Sequence, residues 1–314
     1  MGSEKNLREY LSLVQKNLRH YGSAGRVGLR RVRCVLRRPV LRQPVFVVGC
    51  SRAGTTLVYK TLSESRQLGT LQKETHDFWS TLHPPAERGW DSHGIPAGLA
   101  TSRDRDTVSR FFYIRTGRCR IVDKNNQNGL SIPYLQRLFP DAHFVFIRRS
   151  PGDNIHSLIQ GWGKADRFGT WADQLPEQVR VEEGRYRRWC FFLAPGWRRL
   201  THAPIEEVCA FQYTAMNEAI LDARETIPPG QWHELRYESL LADPVAGFRA
   251  VIEGCGLEFD RRLEQHCRQV LDTPYNAFSE IRADKWKSGE HRARIERVLP
   301  SLERIAARLG YSLP

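Results

Sequence analysis

Four consecutive apolar residues, Val45-Phe46-Val47-Val48, run into the turn Gly49-Cys50-Ser51-Arg52-Ala53-Gly54. Thr55-Thr56-Leu57 then opens a helical pattern that reaches Ser63. This junction constrains the fold more than any other stretch of the chain. A short run that is apolar at every position is buried on both faces, as the strands of a parallel sheet are. A helix starting directly after it directs unpaired backbone N–H groups, and the positive end of its dipole, at the turn. The result is an anion site. Gly49 and Gly54 let the backbone wrap closely, and the Thr55 and Thr56 hydroxyls add donors.

The spacing is that of the phosphate loop G-x-x-x-x-G-K-[ST], with one difference. Thr55 stands where that loop has the lysine that reaches β- and γ-phosphates, and the cation is Arg52 instead. Such a loop is poorly built for a triphosphate and well built for a single phosphate. Arg52 is placed to neutralise charge on the atom leaving that phosphate.

From Val45 onward strand and helix alternate, which predicts an α/β fold with a central parallel sheet flanked by helices. Strands are expected at Leu68–Leu71, Arg120–Val122, His143–Ile147 and Trp232–Arg236. Helices are expected at Leu130–Phe139, from Pro151, near 182–200 and 205–225, at Pro244–Gly254, and at Arg292–Leu309 with a stop at Gly310. Residues 79–103 and 161–175 read as irregular excursions. With residues 77–118, 161–180 and the two helices to 225 in view as acceptor-pocket segments, the aromatics Trp79, Trp90, Phe111, Phe112, Tyr113, Trp162, Trp171 and Trp189 suit a ring-bearing small molecule, a sugar face or a core.

The net charge of +13 resides mostly in residues 1–43, which carry +9. The body, 44–314, is therefore one weakly basic domain, which argues against nucleic acid as a partner. Within the arm, Leu7, Tyr10, Leu11, Val14, Leu18 and Tyr21 recur at helical spacing, and an Arg-rich stretch, Arg30 to Arg42, follows the Gly22–Gly25 break. The arm reads as a packed amphipathic helix with a solvated linker; contact with a membrane surface or an anionic partner is the other reading. Seven scattered cysteines without a C-x-x-C pair read as reduced thiols. With no span of transmembrane length and no signal-peptide run, the chain is expected to be cytoplasmic.

A second anion element lies far downstream. The apolar run His143–Ile147 leads into Arg148-Arg149-Ser150-Pro151-Gly152-Asp153-Asn154-Ile155-His156-Ser157. Together the two elements resemble those of the PAPS-dependent sulfotransferases, where PAPS is 3'-phosphoadenosine 5'-phosphosulfate. In that family Arg52-Ala53-Gly54-Thr55-Thr56-Leu57 corresponds to the 5'-phosphosulfate loop, with Ala53 in place of the usual Ser and Ser51 where Pro is frequent. Arg149 and Ser157 fall on the Arg and Ser that clasp the 3'-phosphate, Ser150 replacing the usual Asp. Phe139-Pro140-Asp141-Ala142 and Arg236-Tyr237-Glu238-Ser239-Leu240-Leu241-Ala242-Asp243-Pro244 extend the match. Tyr237 is then expected near the adenine, and Lys285 and Lys287, around Trp286, in a basic loop closing over the nucleotide.

The resemblance implies a P-loop-NTPase-like sulfotransferase fold and a metal-free, in-line sulfuryl transfer from PAPS to a hydroxyl, less favourably an amine, leaving PAP. The acceptor would be a small molecule or a glycan. Such chemistry requires positioning, charge stabilisation and a base. Gln72-Lys73-Glu74-Thr75-His76-Asp77-Phe78-Trp79 resembles the K-E-x-H element of carbohydrate sulfotransferases, which makes Glu74 the expected general base and His76 its orienting partner or substitute. Lys124, at the end of a strand, is expected to approach the sulfuryl group. A nucleotide kinase on a related fold would want Lys in place of Thr55 and an acidic metal ligand at a strand end; an inactive binding protein would be expected to lack Glu74 and Lys124.

Overall fold

The computed structural model describes residues 25, 27–169, 172–272 and 282–313. Period-two alternation sets its centre. In β1 (Val45–Val48), Phe46 and Val48 enter one core while Val45 and Val47 enter another. In β3 (His143–Arg148), which follows β2 (Val122–Lys124), Phe144 and Phe146 join the first core and Val145 and Ile147 the second. With β4 (Trp232–Arg236) these strands form a parallel sheet in the order β2-β1-β3-β4, with a core on each face. Val45 pairs with Val122 on one side and with His143 on the other, and Phe144 pairs with Trp232.

The chain enters through α1 (residues 27–37), then α2 (Thr55–Leu62), α3 (His76–Leu82) and α4 (Ser102–Thr116). After β2 comes α5 (Ile132–Leu138), and after β3 come α6 (Pro151–Trp162), α7 (Ala165–Phe168) and α8 (Ile205–Arg224). The last elements are α9 (Tyr237–Ala242), α10 (Pro244–Gly254), α11 (Arg261–Gln269), α12 (Arg292–Val298) and α13 (Glu303–Arg308). Helices α2, α10 and α11 cover the Val45/Val47 face, and α5, α6, α8, α12 and α13 the Phe46/Val48 face. Truncating a ring such as Phe46, fully buried between layers, would cost about 3–5 kcal/mol. Among the described residues no helix is long and apolar enough to cross a membrane.

Several expectations are corrected. Residues 182–200 form turns rather than a helix: Glu182, Glu183, Gly184, Phe191 and Gly196 all take positive φ. Their apolar residues are core, with Trp189 packed edge-on between Trp162 and Trp197 at 5.4 and 5.1 Å. Trp79, Phe112, Trp162 and Trp189 are therefore fully buried structural residues, while Trp90, Phe111 and Tyr113 stay partly exposed. Trp171 and the Leu7–Tyr21 stripe lie outside the described residues.

The terminal helix is divided at Pro300, whose missing N–H converts Leu299–Leu302 to a 3-10 turn. The Leu68–Leu71 strand reduces to a single bridge between Gly69 and Ile121, and the Arg120–Val122 strand is shifted to Val122–Lys124. Arg30 to Arg37 is helix rather than linker. Within the excursions, His76–Leu82 and Ala165–Phe168 are short helices. Helix α4 was not anticipated, although Thr101 and Asp104 form a complete capping box at its start.

Candidate active site

All four strands deliver a candidate residue to the same, C-terminal edge of the sheet. Lys124 ends β2, Gly49 follows β1, Arg149 follows β3 and Tyr237 follows β4. Strand order reverses direction at β1, which makes the crevice beside it the ligand position of an open parallel sheet.

The turn after β1 needs its glycines. A Cβ on Gly49 would lie 2.6 Å from the Ile147 carbonyl oxygen, and one on Gly54, at φ 105°, would lie 2.8 Å from the Tyr237 ring. Arg52 itself takes φ 71°, a conformation that turns its side chain at some cost in backbone energy. The loop is held from below by Asn154, whose Nδ2 donates to the Ser51 carbonyl at 2.9 Å. Thr55 is buried and Thr56 half-buried at the head of α2, and the departure Ala53 is buried in packing.

Arg52 Nε donates to Ser157 Oγ at 3.2 Å, and Arg149 Nη1 donates to the Arg52 carbonyl at 3.0 Å. Two elements far apart in sequence thus meet as one site. The Arg149 guanidinium also stacks on Tyr237 at 4.4 Å. Burial, then the nearby charges of Arg149 and Arg167, pull Arg52 down to about 10. Crowding guanidinium groups together is unfavourable by itself and is relieved by an anion. Two buried groups point the same way: Ser51 Oγ and Arg149 Nε have no hydrogen-bond partner among the described residues. The residues present fit a phosphate-bearing ligand.

Around this core, Asp153 ties the start of α6 to the segment before α12. Its carboxylate accepts from the backbone N–H of Asp284 at 2.7 Å and of Trp286 at 3.3 Å. Gly152 leaves the space that the Trp286 indole occupies. Burial, then the charge of His291, lowers the His156 imidazole pKa, and Lys285 and Arg149 lie near enough to add to this. Lys287 turns outward to Asp284 at 3.0 Å. Glu238, next to Tyr237, accepts from the Ser150 N–H and from Tyr311, joining the ends of β3 and β4.

On the other side of the loop, Lys124 Nζ lies 2.6 Å from Glu74 Oε1 and 3.4 Å from Thr56 Oγ1. Lys124 is buried, with its side chain 5% exposed, whereas Glu74 keeps 34% of its side chain open. Burial pushes the Glu74 carboxyl up, but Lys124, His76 and the Asn126 backbone together hold it below the usual carboxylate value. Glu74 also lies within electrostatic reach of Arg52. His76 begins α3 and contacts Asp77 at 3.3 Å, two residues from Glu74.

The strand-end sequence Asp123-Lys124 has a structural half that the sequence reading missed. Buried Asp123 accepts from Thr75 Oγ1 at 2.7 Å, Trp79 Nε1 at 3.1 Å and Asn128 Nδ2 at 3.1 Å. It fixes Thr75, and with it the neighbouring Glu74, beside Lys124. Asn154 and Asp153 were likewise passed over as supports, though both lie inside the quoted Arg149–Ser157 element. Away from this edge, His143, His233 and Cys255 bring three donor atoms within 4.8 Å of one another where β3 and β4 begin. Tertiary packing, not ligand spacing, assembles that group.

A family model described as the sulfotransferase family matches residues 44–261. The omega-hydroxy-beta-dihydromenaquinone-9 sulfotransferase Stf3 of Mycobacterium bovis is 23% identical, covering 75% of this chain and 69% of its own. Two solved structures share the fold. The sulfotransferase domain of the Synechococcus olefin synthase has a TM-score of 0.50 at 18% identity, covering 88% of this chain and 99% of that one. Sulfotransferase STF9 from Mycobacterium avium has a TM-score of 0.52 at 14% identity, covering 93% of this chain and 85% of that one.

Proposed function

Since the chain belongs to the sulfotransferase family and is thus an enzyme of sulfuryl transfer, we propose that its donor is PAPS and its acceptor the hydroxyl of a small molecule. The meeting of Arg52, Arg149 and Ser157 at one edge carries the donor reading, because it joins two anion sites within one crevice. A loop lacking the lysine of triphosphate sites suits the 5'-phosphosulfate, and Arg149 with Ser157 suits a 3'-phosphate. Tyr237 flanks the adenine, and the Lys285 segment covers the nucleotide, with Lys287 turned outward to Asp284.

PAPS supplies a sulfuryl group already bonded to a good leaving group, the 5'-phosphate. The protein's tasks are then to hold, neutralise and deprotonate. The Gly49–Thr56 amides and hydroxyls hold the 5'-phosphate, and Arg52 answers the charge that grows on its departing oxygen. Glu74, kept ionised by Lys124, accepts the acceptor's hydroxyl proton as the new S–O bond forms. Lys124, between Glu74 and Thr56, stabilises the transferring group. His76, two residues along and near enough to act on the Glu74 carboxylate, is its orienting partner or substitute.

An apolar alcohol is the acceptor best supported. The mycobacterial relative is named for an omega-hydroxy dihydromenaquinone. In this chain Phe78 of α3 and Phe111 of α4, both half-buried, stack at 3.7 Å. Glu74→Gln tests the mechanism: turnover with labelled PAPS should fall by about 100-fold or more while PAP affinity is retained. Loss of PAP binding along with turnover would make Glu74 structural and refute its role as base.

A further inference from the structure

Helix α1 carries two opposite stripes. Val27, Arg30 and Cys34, at i, i+3 and i+7, face the body: Cys34 is buried, and the Arg30 guanidinium donates to the Ile114 and Arg115 carbonyls at the end of α4. Leu29, Val32 and Leu36, at the same spacing and joined by Val35, face away and are 54%, 58%, 77% and 76% exposed. Among the described residues, five of the six exposed large hydrophobic side chains fall at positions 29–40. Arg31, Arg33 and Arg37, all exposed, flank that outer stripe.

An apolar ridge edged by arginine has few partners that satisfy both of its halves. A nucleic acid or an acidic peptide would neutralise the arginines and leave the leucines and valines in water. A bilayer surface containing anionic lipid accepts the apolar ridge at the acyl boundary and the guanidinium groups among the phosphates. The helix is also fixed to α4, which packs on the helix that follows Glu74. Arg30 holds it to α4, Leu41 beyond it is bonded to Ser109 of α4, and Phe111 of α4 stacks on Phe78 of α3. We propose that α1 is a membrane-surface anchor that lies in the headgroup layer of an anionic bilayer and holds the α3–α4 side of the crevice against it. The inference rests on the helix alone and does not depend on the identity of the donor or the base.

The test is co-sedimentation of the full chain with vesicles of phosphatidylcholine, with and without phosphatidylglycerol. Binding is expected to the mixed vesicles and to weaken steeply with added salt. Replacing the outer stripe (Leu29→Ser, Val32→Ser, Val35→Ser, Leu36→Ser) should lower the partition coefficient by roughly 100-fold. Replacing the flanking cations (Arg31→Gln, Arg33→Gln, Arg37→Gln) should lower it comparably, at about 5-fold per charge near the surface. Melting temperature should be unchanged in both, since none of these side chains is buried. Vesicle binding that survives loss of the stripe would reduce the contact to charge and overturn the proposal. So would absence of binding to mixed vesicles, or a dimer in sedimentation velocity that the serine variant abolishes, which would make a second copy the partner of the ridge.

Discussion

Replacing Lys124 by Met separates the roles of the Glu74–Lys124 pair. The substitution keeps the volume of a buried stem and removes the charge 2.6 Å from Glu74. In the native protein Lys124 helps to hold the Glu74 carboxyl below its unfolded value, so the pair's contribution to stability is complete above the usual carboxylate range. It fades as pH falls through the depressed native value. Without Lys124, only His76 and the Asn126 backbone oppose burial, so the carboxyl rises and an ionised Glu74 loses its stabilising partner at neutral pH. Breaking a fully buried pair costs about 3–5 kcal/mol. Because Glu74 is one-third exposed, solvent screening reduces the figure to about 1–3 kcal/mol. Urea unfolding at neutral pH measures that loss. The acid limb of the pH–rate profile should move to higher pH, with turnover reduced by about 100-fold. Adding Glu74→Gln to Lys124→Met should recover most of the stability and none of the activity. An acid limb that stays in place, or a single variant as stable as the parent, would refute the reasoning.

Two further substitutions test the supports of the crevice. Gly152→Ala drives a Cβ into the Trp286 indole, so the indole and the Lys285 segment must shift. Calorimetry should show PAP affinity weakened by about 10-fold, with the acceptor's KM little changed. Asn154→Ala leaves the Ser51 carbonyl without its buried donor, and urea unfolding should register a loss of about 1–3 kcal/mol.

The proposed anion sites are legible in the sequence because their geometry is local. A buried strand, a glycine turn and a helix start appear in order along the chain, as do Arg149 and Ser157 on either side of one helix start. The sequence also disclosed the sheet, since each strand but β2 is a run of adjacent residues with a clear pattern. What it hid was set by packing between distant segments. The Trp189–Ala194 run looks like part of a helix, yet Gly184 and the Pro195–Gly196 break free it to fill the core as turns. Asp123 looks like a solvated neighbour of Lys124, and only its three donors, from α3 and the turn before α5, reveal it as the anchor of the Glu74 segment. The outer stripe of α1 was obscured by arginine density, which reads as a linker until the opposite stripe is seen to be docked.

The strand ends that make the crevice also make it an all-or-none object. Neighbours in the sheet come from remote parts of the chain, with Val45 between Val122 and His143 and Phe144 beside Trp232. A chain that has joined β1 to β2 alone owns Lys124 and the glycine turn but neither Arg149 nor Tyr237. Only the full sheet brings every part of the proposed nucleotide site together, and the long closures required make such a sheet slow to form. A nucleotide bound across the edge is therefore a fastener on all four strands at once. At a hundred times its dissociation constant it would add about 2.7 kcal/mol to the global unfolding free energy. Protection from hydrogen exchange should rise in β2 and β4 together, although they stand at opposite edges of the sheet.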